Sequence, residues 1–418
     1  MTKLLKSYRQ IDNNILWLIA AAFCLQIINS AFFLTLNIYA QKSGYLDYQI
    51  ADFISYRFLA VAGFAVPFGM FIKGKAIRPF FLAAAITLPL VSLLIVEVIE
   101  YQYDLLLKIA LILWGISFSS LHILILPYII RNEASDTHTE AISLNAASWS
   151  ASIIIVGIFN FVLAYLIGDW FADHRLLDKR LLQLYSIVGV IAVFFILKMT
   201  KDEKLEEDTQ TFHRSFRDYD WSLIIRAAIP LLMLAVGAGL TIPFINLFFF
   251  NVFGMDSNQF SLLGSITAVL VASTILLTPS IKKIFGYEAI TITQTLAVLA
   301  LLLLAISDFL SYWPFAIYLA IFCYFIRQPL MNLANPMTSE MTMYYVGRKN
   351  QELMSAITSS IWSGSWFFSS QIFRFLRKMD LRYGTIFVIT ACMYMLAVFA
   401  YFLLIKDYRR RETSELLK

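Results

Sequence analysis

The segment QIADFISYRFLAVAGFAVPFGMF, residues 49–71, is apolar enough to cross a membrane, yet Arg57 stands near its middle. The segment YWPFAIYLAIFCYFIRQPLM, residues 312–331, repeats this pattern with Arg327. An arginine at mid-depth of a bilayer costs about 3 to more than 10 kcal/mol, so such residues face a bundle interior and mark a solute pathway. The two segments therefore predict a multi-pass protein that encloses a wet, positively charged cavity.

The composition of the 418 residues agrees with a membrane protein: 60% are hydrophobic, only 15% are charged, and the mean hydropathy is +0.72. Soluble domains average about half apolar and a quarter charged residues. A membrane-spanning helix needs roughly 20 apolar residues. The apolar segments predict twelve such helices, over residues 14–40, 47–72, 79–99, 106–130, 141–168, 181–199, 222–250, 258–281, 287–307, 312–335, 351–376 and 383–405.

A polar stretch at the chain midpoint separates these helices into two sets of six. We expect an N-terminal bundle over residues 1–200, a cytoplasmic linker over 201–221, and a C-terminal bundle over 222–418 with a short cytoplasmic tail. Lysine and arginine are more than twice as frequent on the side of the N-terminus as on the other side. The positive-inside rule then predicts a multi-pass protein of the inner (plasma) membrane with both termini in the cytoplasm.

Motifs for enzyme chemistry are absent from the sequence: no phosphate-binding loop, zinc-protease helix or hydrolase nucleophile elbow occurs. The net charge of +5 lies in short basic segments that orient the helices, so no nucleic-acid partner is expected. The sequence predicts a protein that is not an enzyme, binds no cofactor or metal, and acts as a monomer. Its expected partners are a small-molecule solute, the lipid bilayer, and a proton or ion gradient.

Polar side chains recur at helical spacing within the predicted membrane helices. Arginine binds carboxylate and phosphate groups through paired hydrogen bonds, and tryptophan offers an apolar ring surface. These residue types suit an anionic or amphipathic organic solute, whereas the serine stripes favour helix packing. The predicted substrate-binding residues are Arg57, Arg327, Gln26, Asn29, Asn246, Gln328, Asn332 and Trp362.

Three residues are candidates for proton coupling: His122, Asp52 and Glu340. Histidine titrates near neutrality, although His122 also fits a hydrogen-bonded structural role. The two acids lie nearer the ends of their predicted helices. Asp52 precedes Arg57 by five residues and is also a candidate partner for that charge, although the spacing on a helix is not ideal.

The stretch FIRQPLMNLANPMTSEMTMYYVGRKNQELMSAITSSIWSG, residues 325–364, and the basic turns after helices 2 and 8 carry a resemblance to the major facilitator superfamily. The resemblance covers essentially the whole chain. It implies an all-α integral membrane fold of twelve transmembrane helices in two six-helix bundles, related by a pseudo-two-fold axis along the membrane normal. It also implies a central cavity lined by helices 1, 4, 7 and 10, and transport by alternating access.

The chain departs from the family pattern after helix 2, where Lys73 follows Gly69 in place of the usual aspartate. In the family this acid faces the start of helix 11, where the helix dipole favours an anion. We expect a latch of swapped polarity between Lys73 and Glu352, with Lys73 reaching the lipid headgroups as the alternative.

The sequence thus predicts a secondary active transporter of the major facilitator type. Its expected cargo is a small organic solute, anionic or amphipathic, and coupling of transport to protons is one option for its energy source. The alternatives are a multidrug or lipophile exporter, a lipid flippase, and a non-transporting membrane sensor. The glycine and proline signature that many drug/proton antiporters carry in helix 5 is missing, which disfavours a standard multidrug exporter.

Overall fold

The computed structural model describes residues 11–72, 75–132, 138–171, 173–199, 219–347 and 350–416, and long helices joined by short turns account for most of them. No strand occurs in these ranges. The helices are α1 (Asn13–Lys42), α2 (Asp47–Phe71), α3 (Arg78–Tyr101), α4 (Asp104–Asn132), α5 (His138–Ile167), α6 (His174–Lys198), α7 (Trp221–Phe253), α8 (Ser257–Phe285), α9 (Glu288–Phe309), α10 (Ala316–Val346), α11 (Gln351–Lys378) and α12 (Tyr383–Leu416).

Ten of these helices contain a segment long and apolar enough to cross a membrane, counted over the described residues. The other two, α2 and α11, have 25 and 28 residues, which also exceeds the length that a bilayer requires. The predicted all-α, twelve-helix fold is confirmed.

Helix ends differ from the prediction where polar residues continue a helix beyond its apolar part. Helix α6 begins at His174 and not at residue 181, because the Asp173 side chain accepts a hydrogen bond from the Arg175 backbone N–H at 2.8 Å and caps the helix. Helix α10 continues to Val346, beyond the predicted end at residue 335. Hydropathy detects the lipid-exposed length of a helix, so it misses such extensions.

Two helices change geometry inside the membrane. Helix α1 contains a π-helical turn over Phe32–Leu36, a feature that often occurs at functional sites. Helix α7 tightens to a 3₁₀ turn over Ile242–Phe244, where Pro243 has no backbone N–H to donate. Both changes alter the direction in which the following side chains point.

The chain divides into two compact units. Unit 1 comprises residues 1–212 and 256–265, in which α1 packs on α5 and α6, α2 on α4, and α3 on α4 and α6. Unit 2 comprises residues 213–255 and 266–418, in which α9 packs on α10 and α12, and α7 on α11 and α12.

The first turns of α8, residues 257–265, belong to unit 1 because they lie directly on α5. Gly157 of α5 makes this possible, since a Cβ atom there would overlap the Ser265 side chain and the Ser261 carbonyl. Asn160 donates to Ser261 Oγ at 3.0 Å, and Ser265 Oγ donates to the Ile154 carbonyl at 3.1 Å. A small residue thus allows close helix approach, and polar groups add hydrogen bonds across it.

Candidate solute-binding site

Arg57 of α2 lies in unit 1 against side chains from two neighbouring helices. Its Nη2 donates to Asn29 Oδ1 of α1 at 2.6 Å. Its guanidinium carbon lies 4.0 Å from the ring centroid of Trp114 and 5.6 Å from that of Phe118, both on α4. Gly115 permits this approach, because a Cβ atom there would overlap the Arg57 carbonyl.

The Trp114 ring is a rigid support for the arginine. It is fully buried, its Nε1 donates to Ser92 Oγ at 2.9 Å, and it stacks on Phe32 with ring centroids 5.6 Å apart. A cation over a tryptophan face gains about 2 kcal/mol when the pair is desolvated. The contact holds the guanidinium plane in place without neutralising its charge.

Arg57 is half-buried, and among the described residues no carboxylate pairs with it. Asn29 and Trp114 use one nitrogen and one face of the guanidinium group. The remaining N–H groups have the planar fork geometry that binds a carboxylate or phosphate in bidentate fashion. The site can therefore accept an anion.

Arg327 of α10 occupies a different setting in unit 2. The residue is 1% exposed, its Nη2 donates to the Tyr394 hydroxyl of α12 at 3.3 Å, and its Nε has no hydrogen-bond partner. The ion pairs of the described residues do not include it. A buried cation without an anion is costly, and an anion bound beside it would offset that cost.

A cavity of about 270 Å³ lies between α7, α10 and α11 of unit 2. Its walls combine one indole ring with hydroxyl and amide groups, a lining that suits a hydroxylated or ring-bearing part of a solute. The polar and aromatic lining residues are Asn335, Thr338, Ser339, Thr342, Thr358 and Trp362. Trp362 is thus the predicted site residue that faces this cavity.

The predicted amides lie at several places. Gln26 of α1 is 2% exposed, one turn before Asn29, and its Oε1 has no hydrogen-bond partner. Asn246 is buried directly after the 3₁₀ turn of α7, where its Oδ1 accepts from the Leu247 backbone N–H at 2.9 Å. Asn332 donates to the Gln328 carbonyl at 2.9 Å along α10. Gln328 hydrogen-bonds with the Tyr324 side chain, and Asn332 Oδ1 accepts from Asn335 at 3.4 Å. Of the predicted amides, Asn29 is the one that the structure joins to Arg57.

The acids predicted for proton coupling already pair with lysines. Asp52 Oδ2 lies 2.9 Å from Lys108 Nζ of α4, so its ion pair is with that lysine and not with Arg57. Glu340 Oε2 lies 2.5 Å from Lys282 Nζ of α8. Lys73 and the side chains of His122 and Glu352 lie outside the described residues.

Sequence reasoning identified Arg57 but missed Trp114 and Phe118. A partial signal was present, because these aromatic residues stand one helical turn apart on α4 with Gly115 beside them. The missing information was which helix packs on α2. That pairing depends on the fold and not on local spacing.

No family model matches this chain, and no curated protein matches its sequence. Solved structures match its fold. The nucleoside transporter NupG has a TM-score of 0.71 and 15% identity, over 94% of this chain and 99% of that chain. A bacterial homologue of the human lysosomal transporter Spinster has a TM-score of 0.73 and 12% identity, over 94% and 96%.

The D-xylose–proton symporter has a TM-score of 0.72 and 12% identity, over 93% of this chain and 96% of that chain. These likenesses extend over nearly the whole of each chain, and the identities are low. They show that this chain has the fold of the major facilitator superfamily. The expectation drawn from the resemblance in residues 325–364 is confirmed at the level of the fold.

Proposed function

We propose that this chain is a secondary active transporter that moves a small organic solute across a cell membrane by alternating access. The major facilitator fold supports the proposal, and the similar solved structures are named as transporters. In this proposal the bundles of residues 1–200 and 222–418 move relative to each other, and the linker 201–221 connects them. Both termini face the cytoplasm, and the chain works as a monomer without a cofactor.

The environment of Arg57 is the observation that supports an anionic substrate. Its guanidinium is half-buried, is held by Asn29 and Trp114, and has no carboxylate partner among the described residues. We infer that it binds the negative charge of an anionic or amphipathic solute. Within unit 2, Arg327 is a second buried positive charge, and Trp362 lines a cavity whose walls suit a ring-bearing part of a solute.

Coupling to a proton gradient belongs to the same proposal, and one of the similar structures is named as a proton symporter. The sequence assigned the proton to His122, Asp52 or Glu340, and the cytoplasmic latch to Lys73 and Glu352. Lys108 and Lys282 hold the two acids in ion pairs. Binding of a proton by either acid would break its salt bridge.

A second candidate function is the export of lipophiles or the flipping of lipids. A cavity of about 290 Å³ between α2, α3 and α4 favours it, with a mostly apolar lining that includes Phe68, Phe80, Val91 and Leu113. This cavity has room for part of an acyl chain or an aromatic lipophile. The anionic-solute proposal places the cargo at Arg57 and not here.

The test is thermal stabilisation of the purified protein by anionic, cationic and neutral metabolites, followed by uptake of any hit into proteoliposomes. A ligand at about 100 times its Kd stabilises the folded state by about 2.7 kcal/mol. We expect anions to raise the Tm of the parent protein and of Arg180→Gln, which removes a charge from an exposed position on α6. Arg57→Gln is expected to abolish the shift. Stabilisation by cations or lipophiles alone would favour the second candidate.

A further inference from the structure

Asp178 of α6 is a buried carboxylate that the proposed function has not used. It is 2% exposed, and its Oδ2 lies 2.8 Å from Lys42 Nζ at the end of α1. Ser257 Oγ, at the start of α8, donates to its Oδ1. Lys42 Nζ also pairs with Asp256. These four residues, Lys42, Asp178, Asp256 and Ser257, form the Lys42 cluster, and all four belong to unit 1.

The Lys42 cluster carries one more negative charge than positive charge when both acids are ionised. The nearest further cation on α6 is Lys179, which pairs with Glu97 at 2.8 Å and with Glu100 of α3. Arg175 pairs with Asp173 at 3.3 Å. Arg180 donates to Gln183 Oε1, and Lys198 at the far end of α6 lies over the Trp17 and Phe194 rings. Among the described residues, Lys42 is therefore the cation that pairs with Asp178 and Asp256.

A buried carboxylate that shares its only counterion is suited to bind a proton. Burial and the second carboxylate disfavour the ionised form of Asp178, whereas Lys42 and Ser257 favour it. Binding of one proton would balance the charges of the cluster, with one ionised carboxylate left for Lys42. A metal ion fits less well, because no group of three or more His, Cys, Asp or Glu side chains among the described residues is arranged to hold one.

The cluster also joins three helices. Asp178 holds the start of α8 to α6 through Ser257, and Lys42 holds it to α1 through Asp256. The side chains of Lys42 and Asp256 are 14% and 28% exposed. Ion pairs with such access to solvent contribute little on their own. Ionised Asp178 therefore attaches the start of α8 to α6, in addition to the hydrogen bonds of Ser261 and Ser265 to α5.

We propose that Asp178 is the proton-binding residue of the transport cycle, and that its protonation releases the first turns of α8 from α6 and α5. The proton comes from the aqueous phase and adds to a carboxylate oxygen of Asp178. Asp178 then loses its charge interaction with Lys42 and becomes a poorer acceptor for Ser257, and Lys42 pairs with Asp256 alone. The proposal rests on the proposed transport function, for which it names the coupling ion and the residue that carries it.

The experiment measures the release of α8 with a buried cysteine and needs no knowledge of the solute. Ser265 is 2% exposed where α8 lies on α5, so Ser265→Cys reacts with a water-soluble maleimide only when these turns separate. The reporter is placed in full-length protein with Cys24, Cys323 and Cys392 changed to alanine. The purified protein is reconstituted in liposomes, and labelling is followed from about pH 8 to about pH 5, a range in which a buried carboxylate can titrate. Because only the thiolate reacts, the labelling rate at each pH is divided by the rate of free cysteine at the same pH, which gives the relative labelling rate.

We expect the relative labelling rate of the reporter protein to be about tenfold higher at the acidic end. Asp178→Asn, which cannot ionise, should have a high relative labelling rate at every pH, with less than about a twofold change. The matched control is Asp173→Asn, five residues earlier on the same outer end, whose side chain is 50% exposed and pairs with Arg175. It should keep the response of the reporter protein.

A second variant tests the charge balance directly and does not depend on the folding of Asp178→Asn. Asp256→Asn leaves Lys42 and Asp178 as a one-to-one pair, which favours ionised Asp178. The pH of half-maximal labelling should then fall by about one unit. An unchanged midpoint would overturn the proposal, as would a reporter protein without a pH response or an Asp178→Asn variant that keeps the response.

The two proposals fail in different ways. Solute uptake into proteoliposomes with no pH response at Ser265→Cys would reject Asp178 as the proton-binding residue and retain the transporter. A pH response that Asp178→Asn abolishes, in a protein that moves no solute of the panel, would retain the proton site and count against the transport of those solutes.

Discussion

At the scale of single residues, the two intramembrane arginines solve the problem of a buried charge differently. Arg57 rests on Trp114 and donates to Asn29, whereas Arg327 is enclosed and donates to the Tyr394 hydroxyl. Aromatic contact lowers the cost of desolvating a cation but adds no negative charge. Both residues therefore retain a positive potential that an anion can neutralise.

Lysine should not replace Arg57, although it keeps the charge. An ammonium group cannot lie flat on Trp114 and donate in bidentate fashion to a carboxylate at the same time. We expect Arg57→Lys to weaken the binding of an anionic ligand about tenfold or more, as measured by the concentration dependence of the Tm. Arg180→Lys is the matched control. Equal affinities for Arg57→Lys and the parent protein would exclude direct contact with the anion.

Replacement of Arg327 should affect the stability of the protein and its binding of anions differently. Replacing a buried charge that lacks a counterion with an apolar side chain of similar volume is often neutral or stabilising by about 1–4 kcal/mol. We expect Arg327→Met to leave the Tm without ligand unchanged or higher, and to lose the stabilisation by anions. A lower Tm together with retained anion binding would identify Arg327 as a structural residue.

At the scale of helices, apolar stretches of the sequence predicted the twelve long helices of the described residues, and ten of these contain a segment apolar enough to cross a membrane. It placed the start of α6 too late, since residues 174–180, HRLLDKR, alternate leucines with charges. In the structure the leucine Leu177 is buried, and the charged Asp178 and Lys179 meet α1, α8 and α3. Charges that neutralise each other between helices carry no signal in a hydropathy average, so the sequence alone did not identify Asp178.

The contact between α5 and the start of α8 depends on the missing side chain of Gly157. A methyl group there would overlap Ser261 and Ser265, and forced overlaps of this kind cost about 1–3 kcal/mol. We expect Gly157→Ala to speed maleimide labelling of Ser265→Cys at every pH. Gly63→Ala in α2 is the matched control, because nothing lies within 4 Å of the added methyl group. Equal labelling rates in the two variants would show that α8 does not rely on this contact.

At the scale of the whole molecule, the proposed transport depends on the fold, and in that proposal the choice of substrate depends on a few side chains. Similar structures with 12–15% identity are named for a nucleoside transporter, a Spinster homologue and a xylose–proton symporter. The resemblance in the sequence was therefore sufficient for the fold. It did not supply the contacts of Arg57 or Asp178, because each joins helices that are distant in the chain.

Proton coupling should survive the loss of the acids that the sequence favoured. Glu340 pairs with Lys282 in a partly exposed position, and Asp52, itself buried, pairs with the partly exposed Lys108. We expect Asp52→Asn and Glu340→Gln to keep uptake driven by a pH gradient in proteoliposomes, whereas Asp178→Asn keeps solute exchange but loses the response to the gradient. Loss of that response in either of the first two variants would assign the proton to that acid.

The π-helical turn Phe32–Leu36 divides α1 into two parts with separate tasks. Asn29 precedes the turn and meets Arg57, while Lys42 follows it and meets Asp178. One residue corresponds to about 100° of rotation along a helix. The extra residue of the π turn thus sets the rotation about the helix axis between Asn29, which contacts Arg57, and Lys42, which contacts Asp178. Deletion of one residue from the π turn would leave Asn29 beside Arg57 and turn Lys42 away from Asp178. This irregular turn therefore determines whether one helix can serve both proposed sites.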